Sequence, residues 1–209
     1  MPKKAAAALR AAARLNARGI RGKAAGDYDG AERNYRRALA FLERAVPGDR
    51  DAAAAIHHNL GGLDHARGDY PQGEAAARRG LALRLSGPAD AARVGADLIA
   101  LAALVQGQRR FDESERLYLA GLTLLRQVPS PDKFDIAVGL GGLGVQYAEC
   151  GHYKAAVRLL ERSAALKAAV LAPDHPSVLL AKANLSAARI REPRSRSSPL
   201  RCAGDRRPA

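Results

Sequence analysis

Three histidines, His57, His58 and His65, are the closest this sequence comes to a metal-binding or proton-transfer cluster. On a helix, His58 and His65 share one face but stand two turns apart, and imidazoles about 10 Å apart along an axis cannot ligate one zinc ion. His57 occupies a position filled elsewhere by Leu15, Leu98 and Leu140, which predicts a packed histidine rather than a ligand. Asp112, Glu113 and Glu115 cluster where a helix is expected to begin, and there carboxylates complement the positive end of the helix dipole. The run Gly139-Leu140-Gly141-Gly142-Leu143-Gly144 lacks both the Lys-Ser/Thr ending of a phosphate-binding loop and a preceding strand. No serine stands in a nucleophile-elbow context. Two cysteines, Cys150 and Cys202, are too few for a disulfide framework or a zinc site, and Cys150 reads as a buried, inert thiol. The residues therefore predict a chain that is not an enzyme, without cofactor or metal.

The elements that hold these residues follow from composition and period. Hydrophobic residues make up 47% of the chain, enough for a packed core, but aromatics only 4%, so an all-α interior with close helix contacts is expected. Aromatic residues recur at Tyr28, Tyr70, Phe111 and Tyr153, spaced 42, 41 and 42, preceded at three of the four sites by Gly two positions earlier. Small residues stand three after each ring (Ala31, Gly73, Ser114, Ala156) and ten after it (Ala38, Gly80, Gly121, Ser163). Such a unit reads as two antiparallel helices turning at the Gly-x-aromatic corner, with small residues where backbones approach. Helices are predicted near 4–24, 29–45, 51–67, 72–86, 89–107, 112–128, 132–149, 154–171 and 176–191, with Pro88, Pro131 and Pro176 in first turns. Arg109 departs from the pattern by standing where Gly is expected, and Arg18 by standing where Leu is expected.

The motif Gly26-x-Tyr28-x-x-Ala31-x-x-x-Tyr35-x-x-Ala38-Leu39 resembles the tetratricopeptide repeat, and the period near 42 resembles its long-repeat subclass typified by kinesin light chain. Leu171-Ala172-Pro173-Asp174-His175-Pro176 and His58-Asn59-Leu60-Gly61 are similar to segments of that subclass. The resemblance implies a right-handed α-solenoid of helical hairpins, about four units plus a C-terminal capping helix, over residues 1–191, clearest over 26–191. It also implies a concave groove, lined by the first helix of each unit, that binds a peptide or partner protein. Projected onto that groove are His58, Asn59, His65, Gln106 and Asn184, with Asn16 and Lys23, where amides suit an extended backbone. The glycines of 139–144 fall in a first helix, where they would thin the groove wall or admit a partner backbone.

The net charge of +13 sits mostly at the ends: residues 1–25 hold seven Lys or Arg and no acid, while the body is close to neutral. A nucleic-acid role through Arg-rich termini is the lesser reading, as is a detached sensor portion of a larger signalling protein. Residues 192–209, rich in Arg, Ser and Pro, are expected to be disordered. No apolar run reaches the ~18 residues that cross a bilayer, so no membrane partner and a cytoplasmic location are expected, with self-association open.

Overall fold

The structure is a computed structural model that describes residues 3–45, 48–88 and 90–192. The tail expected to be disordered lies, beyond Glu192, outside the described residues, as does Cys202. Among the described residues all regular structure is helical: α1 (Lys3–Ala24), α2 (Tyr28–Ala45), α3 (Arg50–Arg67), α4 (Tyr70–Leu85), α5 (Ala91–Gly107), α6 (Phe111–Gln127), α7 (Lys133–Glu149), α8 (Tyr153–Val170) and α9 (Pro176–Arg191). They fall into two compact units, 1–90 with α1–α4 and 91–209 with α5–α9. Within each unit consecutive helices pair as hairpins, α1 with α2, α3 with α4, α5 with α6 and α7 with α8, and α9 packs on α8. No described helix is long and apolar enough to cross a membrane.

All four hairpins turn by one device. Gly26 and Gly68 have φ +80°, and Gly151 has φ +85°. The next residue donates its N–H five positions back: Asp27 to Gly22 (2.9 Å), Asp69 to Asp64 (2.9 Å), Arg110 to Val105 (3.2 Å) and His152 to Tyr147 (2.8 Å). This bond closes the first helix and requires a left-handed residue, which glycine supplies without a Cβ clash. Arg109 holds the same place at φ 60° with its guanidinium 5.2 Å from the centre of the Phe111 ring. The second helices begin at the ring itself, slightly earlier than the sequence suggests, because the residue before the ring already serves as N-cap. Asp27 accepts from Gly30 N–H at 2.9 Å and Asp69 from Gln72 N–H at 3.4 Å. Pro176 does open α9, but Pro88 and Pro131 precede their helices, since Asp132 caps α7 and α5 starts at Ala91. Pro71 takes the first turn of α4 instead.

The small residues do what their spacing predicts. A Cβ on Gly121 would lie 2.7 Å from the carbonyl oxygen of Gly95, and one on Gly80 would lie 3.0 Å from that of Ala54. At the matching place in the fourth hairpin, Ser163 Oγ donates to the Ala137 carbonyl at 2.6 Å; in the third, Ser114 Oγ, three after the ring, donates to the Ala102 carbonyl at 2.9 Å. In the first unit the core forms around buried Tyr35 with Ala12, Leu15, Leu42, Ile56 and Leu63; in the second, around Tyr118 with Ile99, Leu122, Leu140 and Leu143. Arg18 is exposed, whereas its counterparts Leu101 and Leu143 are buried, which accounts for the charged residue at that one place.

Two expectations are corrected. The glycines of α7 serve packing inside the unit: a Cβ on Gly139 would meet Ile99 Cδ1 at 2.8 Å, one on Gly142 the Tyr118 hydroxyl at 2.3 Å, and one on Gly144 Leu160 Cγ at 2.8 Å. Cys150, fully buried at the end of α7, is disulfide-bonded rather than a free thiol.

Candidate functional site

In the first unit the candidate residues stand on α1 and α3. Asn59 Nδ2 donates to Asn16 Oδ1 at 2.8 Å, joining the two first helices, and both side chains are half-buried. His58, one residue earlier, is half-buried as well. His65 is exposed, edge-on to Tyr70 with ring centres 5.5 Å apart, and partial burial with the nearby Lys23 charge keeps its pKa below the usual histidine value. Burial also lowers Lys23, whose Nζ lies 3.0 Å from where a Cβ on Gly62 would be. His57 turns the other way, toward α4, where a Cβ on Gly80 would touch its own Cβ at 3.1 Å. Its Nδ1 is buried without a hydrogen-bond partner, and burial, aided by Arg79, depresses its pKa. This matches its reading as a packed histidine.

In the second unit a longer chain of bonds appears. Tyr118 Oη donates to Gln106 Oε1 at 2.9 Å, and Gln106 Nε2 donates to Glu149 Oε2 at 3.1 Å. The phenol can reach across only because position 142 is glycine. Burial raises the Tyr118 pKa, with a contribution from the Glu149 charge, so the hydroxyl remains a donor. Asn184 of α9 is half-buried and lines, with Glu149 and Arg191, a hollow of about 140 Å³ floored by Val145, Leu160 and Ala188.

The structure thus brings Asn16 and Asn59 together in one unit, and Gln106, Glu149 and Asn184 along adjoining first helices in the other. Glu149 and Arg191 were not singled out by sequence. A usable signal existed for Glu149: both side-chain rungs, 16 to 59 and 106 to 149, span 43 residues, one more than the repeat period. The acidic cluster also divides on inspection. Asp112 and Glu113 sit in the first turn of α6 as expected, but Glu115 is buried and accepts a hydrogen bond from the Tyr147 hydroxyl. Among the described residues no group of three or more His, Cys, Asp or Glu is arranged to hold a metal ion.

Residues 138–177 match the family model for the tetratricopeptide repeat. The first solved structures to which the chain is similar carry repeats of the same kind. One is a crystal structure of nearly identical TPR-like repeats assigned to kinesin light chain in Podosopora anserina, with TM-score 0.65, 18% identity, and 93% of this chain and 90% of that one covered. This is a tetratricopeptide-like repeat fold. BtubC (BKLC) from P. vanneervenii shares the fold at TM-score 0.62 and 17% identity, covering 99% of this chain and 95% of that one. The apo form of RapI shares it at TM-score 0.67 and 14% identity, with 88% of this chain and 64% of that one covered. No curated protein matches the sequence. In repeat terms, α1, α3, α5 and α7 are first helices, α2, α4, α6 and α8 second helices, and α9 a further first-type helix. Every candidate binding residue lies on a first helix.

Proposed function

We propose that this protein is a non-catalytic scaffold that holds a partner protein through an extended segment laid along its first helices. The observation that carries the reading is the pair of side-chain rungs, the amides of Asn16 and Asn59 and the Gln106 amide with the Glu149 carboxylate, set half-buried or exposed between adjacent first helices. The neutral bond between Asn16 and Asn59 contributes about 1 kcal/mol net, so exchanging it for bonds to a ligand backbone costs little. Carboxamides can offer both donor and acceptor to the N–H and C=O groups of an extended peptide. The hollow beside Asn184 gives a ligand side chain room, with Glu149 and Arg191 at hand to pair with charge of either sign.

The test begins with affinity capture by the full chain from its source cell, identification of the captured protein by mass spectrometry, and titration of that protein in purified form. Asn184→Ala with Glu149→Ala, and separately His58→Ala with Asn59→Ala, should each weaken binding at least tenfold, about 1.4 kcal/mol, while thermal melting confirms the fold. Unchanged affinity in both folded double variants would remove the first-helix face from consideration.

A further inference from the structure

The outer face of α1 carries a ridge of arginines that the scaffold reading leaves unused. Arg10, Arg14, Arg18 and Arg21 are spaced four, four and three apart, which places them on one side of the helix. All four are exposed, and none forms an ion pair with a described carboxylate; Arg14 Nε donates only to the carbonyl of Arg10, at 3.3 Å. The helix contains no acidic residue. Like charges at this spacing oppose helix formation, so the arrangement works against the stability of α1. On α2, its partner in the hairpin, Arg33, Arg37 and Arg44 share a second exposed stripe, also without ion pairs. By contrast Arg36, Arg67, Arg78 and Arg84 of the same unit each hold a carboxylate.

We propose that this ridge is a nucleic-acid-binding surface whose four arginines hold successive phosphates of a backbone. From Arg10 to Arg21 the ridge runs about 16 Å along the helix axis, the axial length of about five phosphates in one strand of a duplex. The planar guanidinium grips two phosphate oxygens at once, which suits arginine better than lysine to the task. Between the arginines this side of α1 holds only Ala13 and Ala17, so no side chain is available to read base edges and binding is independent of sequence. A lipid surface fits less well. A membrane-bound helix must bury its apolar side in the bilayer, whereas that side of α1, with Ala12 and Leu15, is already packed in the core around Tyr35.

The full chain titrated with a fluorescent 20-base-pair duplex between 50 and 200 mM NaCl gives the test. Four phosphate contacts predict a log–log salt slope of about −3.6. The quadruple variant Arg10→Gln, Arg14→Gln, Arg18→Gln, Arg21→Gln keeps good helix formers, relieves the like-charge repulsion and should melt no lower than wild type, yet lose at least tenfold in affinity and most of that slope. A tail variant, Arg201→Gln with Arg206→Gln and Arg207→Gln, should retain most of the affinity. Absence of duplex binding at 50 mM NaCl would overturn the proposal. So would an unchanged slope in the quadruple variant, complete loss in the tail variant, or binding to phosphatidylserine vesicles without binding to the duplex. The scaffold reading stands or falls separately, because none of these variants touches a residue assigned to it.

Discussion

The two units build the same hairpin from different chemistry. In the first unit the second and third helices are joined by charge: Arg67 of α3 donates to Glu32 and Asp29 of α2, each at 2.6 Å, and Arg84 of α4 holds Asp51 of α3. In the second unit the equivalent joints rest on a neutral amide and a phenol and lie deeper: Gln146 Nε2 donates to the Phe111 carbonyl at 2.9 Å, and Tyr147 donates to the buried Glu115 carboxylate. The corners differ too, capped by the carboxylates of Asp27 and Asp69 in one unit but by Arg110 and His152, whose side chains make no N-cap bond, in the other. The backbone device is shared and the side chains that brace it are not, so geometry here is fixed by main-chain bonds and small residues, while the bracing is free to vary.

The largest effect should come from filling the shared geometry. Gly121→Val drives a branched side chain into the Gly95 carbonyl, which cannot move away as a flexible side chain could, and should cost about 3 kcal/mol or more. At 4–8 °C per kcal/mol for a unit of this size, circular dichroism should show melting lowered by roughly 12–24 °C, with hydrogen exchange placing the loss in α5–α6.

Next is the contrast between the ion-paired joint and the buried phenol–carboxylate joint. Arg67→Met should destabilise the first unit by about 1 kcal/mol at low salt, and most of that difference should vanish in 1 M NaCl, where screening acts within about 3 Å. Tyr147→Phe should destabilise the second unit by an amount that salt leaves unchanged. An identical salt response in the two variants would erase the distinction drawn between the units.

The pH dependence should show an acid limb from the first unit and an alkaline limb to which Tyr147 of the second contributes. His57 is held below its ordinary 6.5 by burial, so the fold prefers the neutral ring; that stability is present above pH 6.5 and is lost as pH falls through the lowered value. Glu32, held below 4.5 chiefly by the hydrogen bond from Arg67, adds a second loss further into acid. Tyr147, pushed from 10.0 up to about 12 by burial and by Glu115, contributes stability below pH 10 that is lost as pH rises toward 12. Hydrogen exchange should therefore show α3 loosening between pH 7 and 5, an effect His57→Gln reduces, and Tyr147→Phe should flatten the alkaline limb in α7.

The smallest effect belongs to the one departure at a corner. Arg109→Gly relieves a left-handed arginine but forfeits the stacking on Phe111 and adds freedom to the unfolded chain, so stability should change by no more than about 0.5 kcal/mol. Gly151→Ala, at the equivalent corner, should cost about 1 kcal/mol.

Much of this architecture could be read in advance because it repeats. Rings at 28, 70, 111 and 153 and small residues at fixed distances from them each report one local requirement, a corner or a close approach, and each requirement recurs four times. The bracing was opaque for the opposite reason. Arg67 reaches Glu32 and Tyr147 reaches Glu115 across different hairpins and only once each, so no periodicity announces them. The glycines of α7 fell between these cases: their helix was predictable, but that Gly142 exists to admit the Tyr118 hydroxyl depends on a side chain 24 positions earlier. Among the candidate site residues, their place on first helices was legible, whereas their existing partners, which set what a ligand must displace, were not.

The meeting of Gly95 and Gly121 has a consequence for how this protein can diverge. With bare main chain against main chain, the crossing has no slack to absorb a new side chain, so mutations that survive in α5 and α6 must collect on their remaining surfaces. One of those surfaces bears Gln106, and sequence change can therefore accumulate there while the crossing beneath stays as it is.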